Sequence, residues 1–421
     1  MKILSIAEHT IILLIILVSY STSFSQVKIL FDATKAESAG NADWVIDADA
    51  HNISWSNGPA VVGSGTESNP QRIPTPAQST ITSSTVETYW NGGLSSWGID
   101  LVKKGYTVET LPYNVAITYN NTSNVQDLSN YKVFIVCEPN IMFTTAEKTA
   151  IMQFVKNGGG LFMVSDHDQS DRNNDGNDSP TIWNDLMSNN SVQANPFGIT
   201  FDLLDISGSS SNVATLPTDT LLHGPMGNVT QVLWTNGTTM TLNTTANSSV
   251  KGIIYKSGSS TTGTTNVMVA RANYGSGKVA AIGDSSPCDD GSGDPNDQLY
   301  TGWAVDASGN HEKLIINATI WLASSSTTDN TSTGALETEK NIQLSPNPFS
   351  NYANLIISPN VNVINGKLNV YDMNGRIVKT MFTNDAHLIT IYKEKLQKGI
   401  YFYQLTSNDK LLGNGKFIIT E

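Results

Sequence analysis

Residues 131–168 read YKVFIVCEPNIMFTTAEKTAIMQFVKNGGGLFMVSDHD, and this stretch decides the fold class. Tyr131 to Cys137 is an apolar run of strand length that ends at Glu138. Thr144-Thr-Ala-Glu147 is a capping box, in which the Thr hydroxyl takes an orphan amide and Glu147 reaches back. The helix it opens carries Ala150, Ile151, Phe154 and Val155 on one face and stops at Gly158-Gly159-Gly160. Leu161 to Val164 is a second apolar strand, ending at Ser165-Asp166-His167-Asp168. Strand, helix, strand in continuous apolar runs predicts an α/β fold: a parallel sheet with helices on both faces.

The same grammar extends outward. Val27 to Phe31 is a short apolar strand ending at Asp32, and Lys278 to Ile282 is another, ending at Gly283-Asp284-Ser285. Lys313 to Leu322 reads as a closing helix. Asp32, Glu138, Asp166, His167 and Asp284 therefore sit just past the carboxyl ends of apolar strands. In an open parallel sheet those ends share one edge, where ligands bind at a topological switch point. Carboxylates gathered there repel, so a cation, an Arg or raised pKa values must relieve them. Each outcome suits catalysis. For any one acid, capping the next helix is the simpler explanation. Asp166, His167 and Asp284 together are expected to be catalytic, with Asp32, Glu138, His223 and Trp303 as substrate contacts. The other readings stay open for His223, as an ordinary loop histidine, and for Trp97 and Trp183, as core aromatics.

Gly158-Gly-Gly-Leu-Phe-Met-Val-Ser-Asp-His167 and Gly275-Ser-Gly-Lys-Val-Ala-Ala-Ile-Gly-Asp-Ser285 resemble the glutamine-amidotransferase-like superfamily, closest to its trehalose-utilisation-type branches. The resemblance implies a flavodoxin-like layered fold. True amidotransferases carry a Cys in the sharp turn after the strand matching Leu161–Val164, and here Ser165 and Asp166 stand there. Glutamine hydrolysis is not carried over, and the chemistry has to be read from the site.

Asp171-Arg-Asn173-Asn-Asp175-Gly-Asn-Asp178 has the D-x-N-x-D-G spacing of a calcium loop. Asp168, Asp171, Asn173, Asp175 and Asp178 are the expected ligands of a divalent cation, calcium by that spacing. Ile182 stands where an EF-hand has its twelfth-position Glu, and an Asn/Asp-rich surface turn is the plainer reading. A second acidic loop, Asp289-Asp290-Gly-Ser-Gly-Asp294-Pro-Asn-Asp297, follows the strand ending at Ile282.

The chain has 421 residues, enough for two domains. Its net charge of -13 and pI near 4.8 count against a nucleic-acid partner or an anionic membrane. Residues 1–25 read as an export signal: Lys2, then an apolar Ile11 to Val18 too short to span a bilayer, then Ser21 to Ser25. No stable membrane insertion is expected. The domain 26–323 precedes a polar, low-complexity linker at 324–340, SSSTTDNTSTGALETEK. From 341 to 421 short alternating runs, Lys367 to Tyr371, Ile400 to Leu405 and Lys416 to Thr420, are separated by turn signals at Asn374-Gly375, Lys398-Gly399 and Asn414-Gly415. They predict a small β-sandwich.

That tail resembles the type A C-terminal sorting domain of the type IX secretion system of Bacteroidetes. The matching residues are Leu344-Ser-Pro-Asn-Pro-Phe349, Val370-Tyr-Asp-Met-Asn-Gly-Arg376, Gly399-Ile-Tyr-Phe-Tyr-Gln-Leu405 and Gly415-Lys-Phe417. The resemblance implies export across the outer membrane by the secretion machinery, leaving the protein secreted or on the cell surface. Cys137 and Cys288 are either two small buried side chains or one bridge, which the extracytoplasmic space allows.

These readings lead to an exported hydrolase that cleaves an extracellular polymer, with polysaccharide the favoured substrate, through an acidic, cation-assisted crevice. Asp166 and Asp284 form the acid/base pair or ligate the metal, and His167 assists proton transfer. A glycan-binding adhesion module without turnover is the rival from another class. Ester or phosphoester hydrolysis by metal-activated water is the third. No G-x-S-x-G elbow supports a serine esterase, and no P-loop is present.

Overall fold

Five strands bury almost every side chain. They are β1 (Lys28–Asp32), β2 (Thr107–Leu111), β3 (Val133–Cys137), β4 (Gly160–Val164) and β11 (Gly277–Ile282). They are parallel and lie in the order β2-β1-β3-β4-β11. The computed structural model describes residues 26–39, 42–47, 76–113, 115–293, 300–304, 307–324, 342–357, 363–373, 375–383, 387–408 and 410–420. The expected export signal, nearly all of the linker, and Asp294 and Asp297 lie outside these residues.

Alternation along the strands explains why their sequences are apolar throughout. Ile135, Phe162, Val164 and Ile282 face one core with Trp97 and Leu101 of α1 (Ser95–Lys103) and Leu314 and Ala318 of α4 (His311–Ala323). Phe134, Val136, Leu161 and Ala281 face the other with Ile151 and Phe154 of α2 (Thr145–Lys156) and Ile182 and Leu186 of α3 (Ser179–Ser188). Helices thus cover both faces. The capping box forms as expected: the Thr144 hydroxyl accepts from the Glu147 amide (3.3 Å) and Glu147 accepts from the Thr144 amide (2.9 Å).

The sheet is not wholly parallel, which corrects the expectation. Beyond β11 it continues antiparallel through β10 (Val267–Tyr274), β8 (Met240–Leu242) and β5 (Ile199–Phe201), with β9 (Lys251–Tyr255) also on β10. The cause is the two-residue connection Gly275-Ser276, which leaves no room for a crossover helix. Gly275 has φ +57 and packs on the end of α2, where a Cβ would meet the Lys156 carbonyl at 2.2 Å. Beside this sheet, β6 (Ile206–Ser210) and β7 (Val232–Gly237) form their own antiparallel pair.

The tail is a separate compact unit. One antiparallel sheet joins β12 (Ile342–Ser345), β13 (Tyr352–Ile357) and β16 (Leu388–Tyr392); the other runs β15 (Ile377–Thr383), β14 (Gly366–Tyr371), β17 (Gly399–Ser407), β18 (Lys410–Ile419). Leu355 and Ile391 of the first share a core with Val370, Leu405 and Phe417 of the second. The expected turn at Asn414-Gly415 is instead inside β18. Gly415 is needed there because a Cβ would lie 2.7 Å from the Tyr403 hydroxyl.

Candidate functional site

The parallel order places the switch point between β1 and β3, because the chain leaves β1 for β2 on one side and returns to β3 on the other. Glu138 follows β3 there. It is fully buried, and its φ of +49 puts a non-glycine residue in the left-handed region. Its carboxylate is held from three directions. Trp44 Nε1 donates to Oε2 (2.7 Å), Ser285 Oγ donates to the same oxygen (2.7 Å), and Arg172 Nε donates to Oε1 (3.0 Å).

Arg172 also reaches Asp166, which is 3 % exposed, at 2.8 Å from its Oδ2. One guanidinium thus bridges the acids at the ends of two neighbouring strands, the geometry in which Arg outperforms Lys. Burial, reinforced by Glu138 and Asp284, still pushes the Asp166 carboxyl well above the usual range, although Arg172 opposes it. Asp284, fully buried after β11, accepts from the Thr235 amide (2.5 Å) and the Ser286 amide (2.9 Å). Burial outweighs those two bonds and pushes it up to about 7. His167 is the more open group. Its Nδ1 bonds the Asp168 carbonyl (2.6 Å), which can only accept, so Nδ1 carries the proton. Its Nε2 lies 3.7 Å from Asp166 Oδ2.

Asp32 lies at the other side of the switch point, bonded by the amide and hydroxyl of Thr34 (3.1 and 3.2 Å) and beside the buried Glu37. Burial raises both carboxyls, Glu37 well above its usual value with Asp32 as second cause. The Tyr300 ring packs on the buried Trp44 with centroids 6.4 Å apart.

Two expected substrate contacts lie elsewhere. Trp303 is 2 % exposed and stacks on Trp97 inside the core (6.4 Å, 28°), because it belongs to the apolar layer under α4. His223 is exposed on a two-residue hairpin, its Nδ1 against Asn228 Oδ1 (3.0 Å). Trp97 and Trp183 are also buried in the two cores.

The loop expected to hold calcium uses its oxygens on its own amides. Asp171 accepts from Asp175 N (3.1 Å) and Gly176 N (2.7 Å), and Asn173 Oδ1 accepts from Asp175 N (3.2 Å). Asp175 Oδ1 accepts from Asn177 N (2.8 Å), and Asp178 caps α3 through Thr181 N (3.0 Å) while also taking Gln169 N (2.8 Å). Asp168 lies beside Asp178, and burial and that neighbour raise it. Among the described residues, no group of three or more His, Cys, Asp or Glu side chains converges on one point. The loop thus closes on its own backbone. Its visible product is the placement of Arg172, which the Asn173 amide group secures by donating to the Asn140 carbonyl (2.8 Å).

Sequence reading missed Arg172, Ser285 and Trp44. The signal for Arg172 was present: a single Arg inside an acidic loop, next to carboxylates that require a counter-charge.

Residues 343–420 match the secretion system C-terminal sorting domain. The chain is therefore exported by the type IX secretion system, to the cell surface or the extracellular space, and its tail is the part that engages the machinery. No helix among the described residues is long and apolar enough to cross a membrane. No curated protein matches the chain. Among solved structures, the mmIFT52 N-terminal domain is 13% identical with a TM-score of 0.39, covering 70% of this chain and 98% of its own. The cytoplasmic protein STM3548 from Salmonella typhimurium is 14% identical with a TM-score of 0.38, covering 70% and 99%. STM1381 from Salmonella typhimurium LT2 is 11% identical at 0.35, covering 70% and 97%. Likeness at this level carries no functional argument.

Proposed function

We propose that the first unit is an exported hydrolase that cleaves an extracellular polymer, with polysaccharide as its substrate class, by acid–base catalysis at the switch-point crevice. The observation that carries this reading is the Arg172 bridge between Glu138 and Asp166 with His167 on its open side. The Asp166 carboxyl, pushed well above its usual range by burial and by Glu138 and Asp284, serves as the general acid toward a leaving oxygen. Asp284, at about 7, is poised to take a proton near the working pH. Burial raises both carboxyls, which brings two acids toward the range where general acid and general base work is done. His167 Nε2, 3.7 Å from Asp166 Oδ2, stands where it can relay a proton from solvent water back to Asp166 after turnover. Arg172 and Trp44 hold Glu138 fixed, so that its charge stays beside the acid. Substrate approaches past Arg172 and His167, whose side chains are 25% and 15% exposed.

The finer fold assignment belongs to the same proposal. The parallel order second-first-third-fourth-fifth is the flavodoxin-like one and supports the amidotransferase-like grouping, with an antiparallel extension.

The test is reducing-end release from a polysaccharide panel by the purified full chain and its Asp166→Asn variant. The expected loss in the variant is at least about 100-fold. Undiminished release by Asp166→Asn removes that residue from the mechanism. Binding of a glycan with no release by the unaltered protein would replace hydrolysis with a binding role, a reading that the full burial of Glu138 and Asp284 favours.

A further inference from the structure

We infer that the exported protein carries a Cys137–Cys288 disulfide, a covalent staple across the floor of the acidic crevice. Cys137 is the last residue of β3 and immediately precedes Glu138; Cys288 closes the short turn Ser286–Cys288, which follows Asp284 and Ser285. Their side chains are 2 % and 0 % exposed, lie in the same apolar cluster, and neighbour one another. Both thiols are reduced in the structure. They are the chain's only two cysteines, so no third thiol competes for either.

The compartment supplies the other half of the argument. The sorting domain takes the chain out of the cytoplasm, into surroundings where neighbouring thiols are oxidised and stay so. Both Sγ–H bonds break and one Sγ–Sγ bond forms. The two electrons and two protons pass to the disulfide of a thiol–disulfide oxidant, which leaves as a dithiol. Burial, with Cys288 as the next cause, holds the Cys137 thiol well above its usual range, which makes it a poor nucleophile once the core has closed. Oxidation therefore belongs to the folding chain, before α4 and the turn at Ser286–Cys288 seal the cluster.

The position gives the bond a consequence for the site. In the sheet, β4 lies between β3 and β11. A staple from the end of β3 to the segment after β11 holds together the strand ends that bear Glu138, Asp166 and Asp284. The inference does not depend on the hydrolase reading.

The experiment takes the secreted full chain, denatures it, and alkylates it with iodoacetamide before or after reduction, reading intact mass. The expected result is no adduct without reduction, two adducts after it, and a monomer on a non-reducing gel. A cross-linked peptide pair containing Cys137 and Cys288 completes it. Two adducts without reduction overturn the inference, and so does a small-molecule mixed disulfide on each cysteine. Cys288→Ser should show one adduct without reduction and a Tm lower by about 5–10 °C. If that variant fails to fold, reductant on the unaltered protein should lower the Tm by a similar amount; an unchanged Tm beside free thiols in the denatured chain counts against the bond.

Discussion

The first unit buries Asp32, Glu37, Glu138, Asp166 and Asp284 at 0–3% exposure, whereas the buried side chains described in the tail are all hydrophobic, Leu355, Val370, Leu405 and Phe417 among them. The tail's ion pairs reach solvent, with Arg376 74% and Glu394 63% exposed. A buried charge depends on named partners and on pH; an apolar core depends on volume and shape. One chain thus holds two units whose stabilities answer to different variables. All eight tryptophans precede residue 322, so indole fluorescence follows the first unit alone.

The sharpest way to break this contrast is Arg172→Met. It leaves Glu138 and Asp166 buried without their counter-charge, and the fluorescence transition should lose about 3–5 kcal/mol. An unshifted transition would show that the bridge compensates nothing. The matching change in the tail is Phe417→Ala, which empties the space between Tyr401 and Tyr403. It should cost about 3–5 kcal/mol in the tail, read by hydrogen exchange at residues 401–405, and leave the fluorescence transition in place.

The pH dependence sharpens the contrast further. Asp284 rises to about 7 on folding from an ordinary value of 3.8, so the folded state binds more protons between about pH 4 and pH 7. Its contribution is full below pH 4 and is lost as pH rises through 7, by at most about 4 kcal/mol. Asp166 and Glu37, raised well above their usual values, act in the same direction. Asp127, lowered to about 2 despite its burial by bonds from Ser129 and Thr118, acts oppositely, but only below about pH 4. The fluorescence transition should therefore move to lower denaturant between pH 5 and pH 8 while tail exchange, corrected for intrinsic rates, does not. A pH-independent first unit would refute the assignment of buried protons. The smallest effect is Thr144→Ala, which removes the α2 cap and should cost about 1 kcal/mol in the fluorescence transition only.

The legible part of this fold is the part governed by local rules. Val133–Cys137 and Gly160–Val164 are apolar because both sheet faces are covered, and Thr144 and Glu147 cap a helix within one turn of chain. Acids at strand ends could be read for the same reason. The antiparallel half was harder, although Tyr274-Gly275-Ser276-Gly277 carries a hairpin signal, because its strands are as apolar as the parallel ones. Arg172, Ser285 and Trp44 meet Glu138 only through tertiary structure, across up to 147 residues between Glu138 and Ser285. In the loop containing Arg172, spacing suggested ligands while the fold used the same oxygens for turns.

Strand β11 pairs Lys278 with Gly160, across the whole antiparallel excursion. In kinetic terms the crevice is completed late, since Asp284 and Ser285 reach Glu138 only after this long loop has closed. Until then β4 is an open edge with unpaired backbone groups beside Asp166, a surface that invites another chain to pair with it. A nascent polypeptide ending before residue 277 would present that edge without remedy, so the last parallel strand protects the chain from its own copies as well as finishing the crevice.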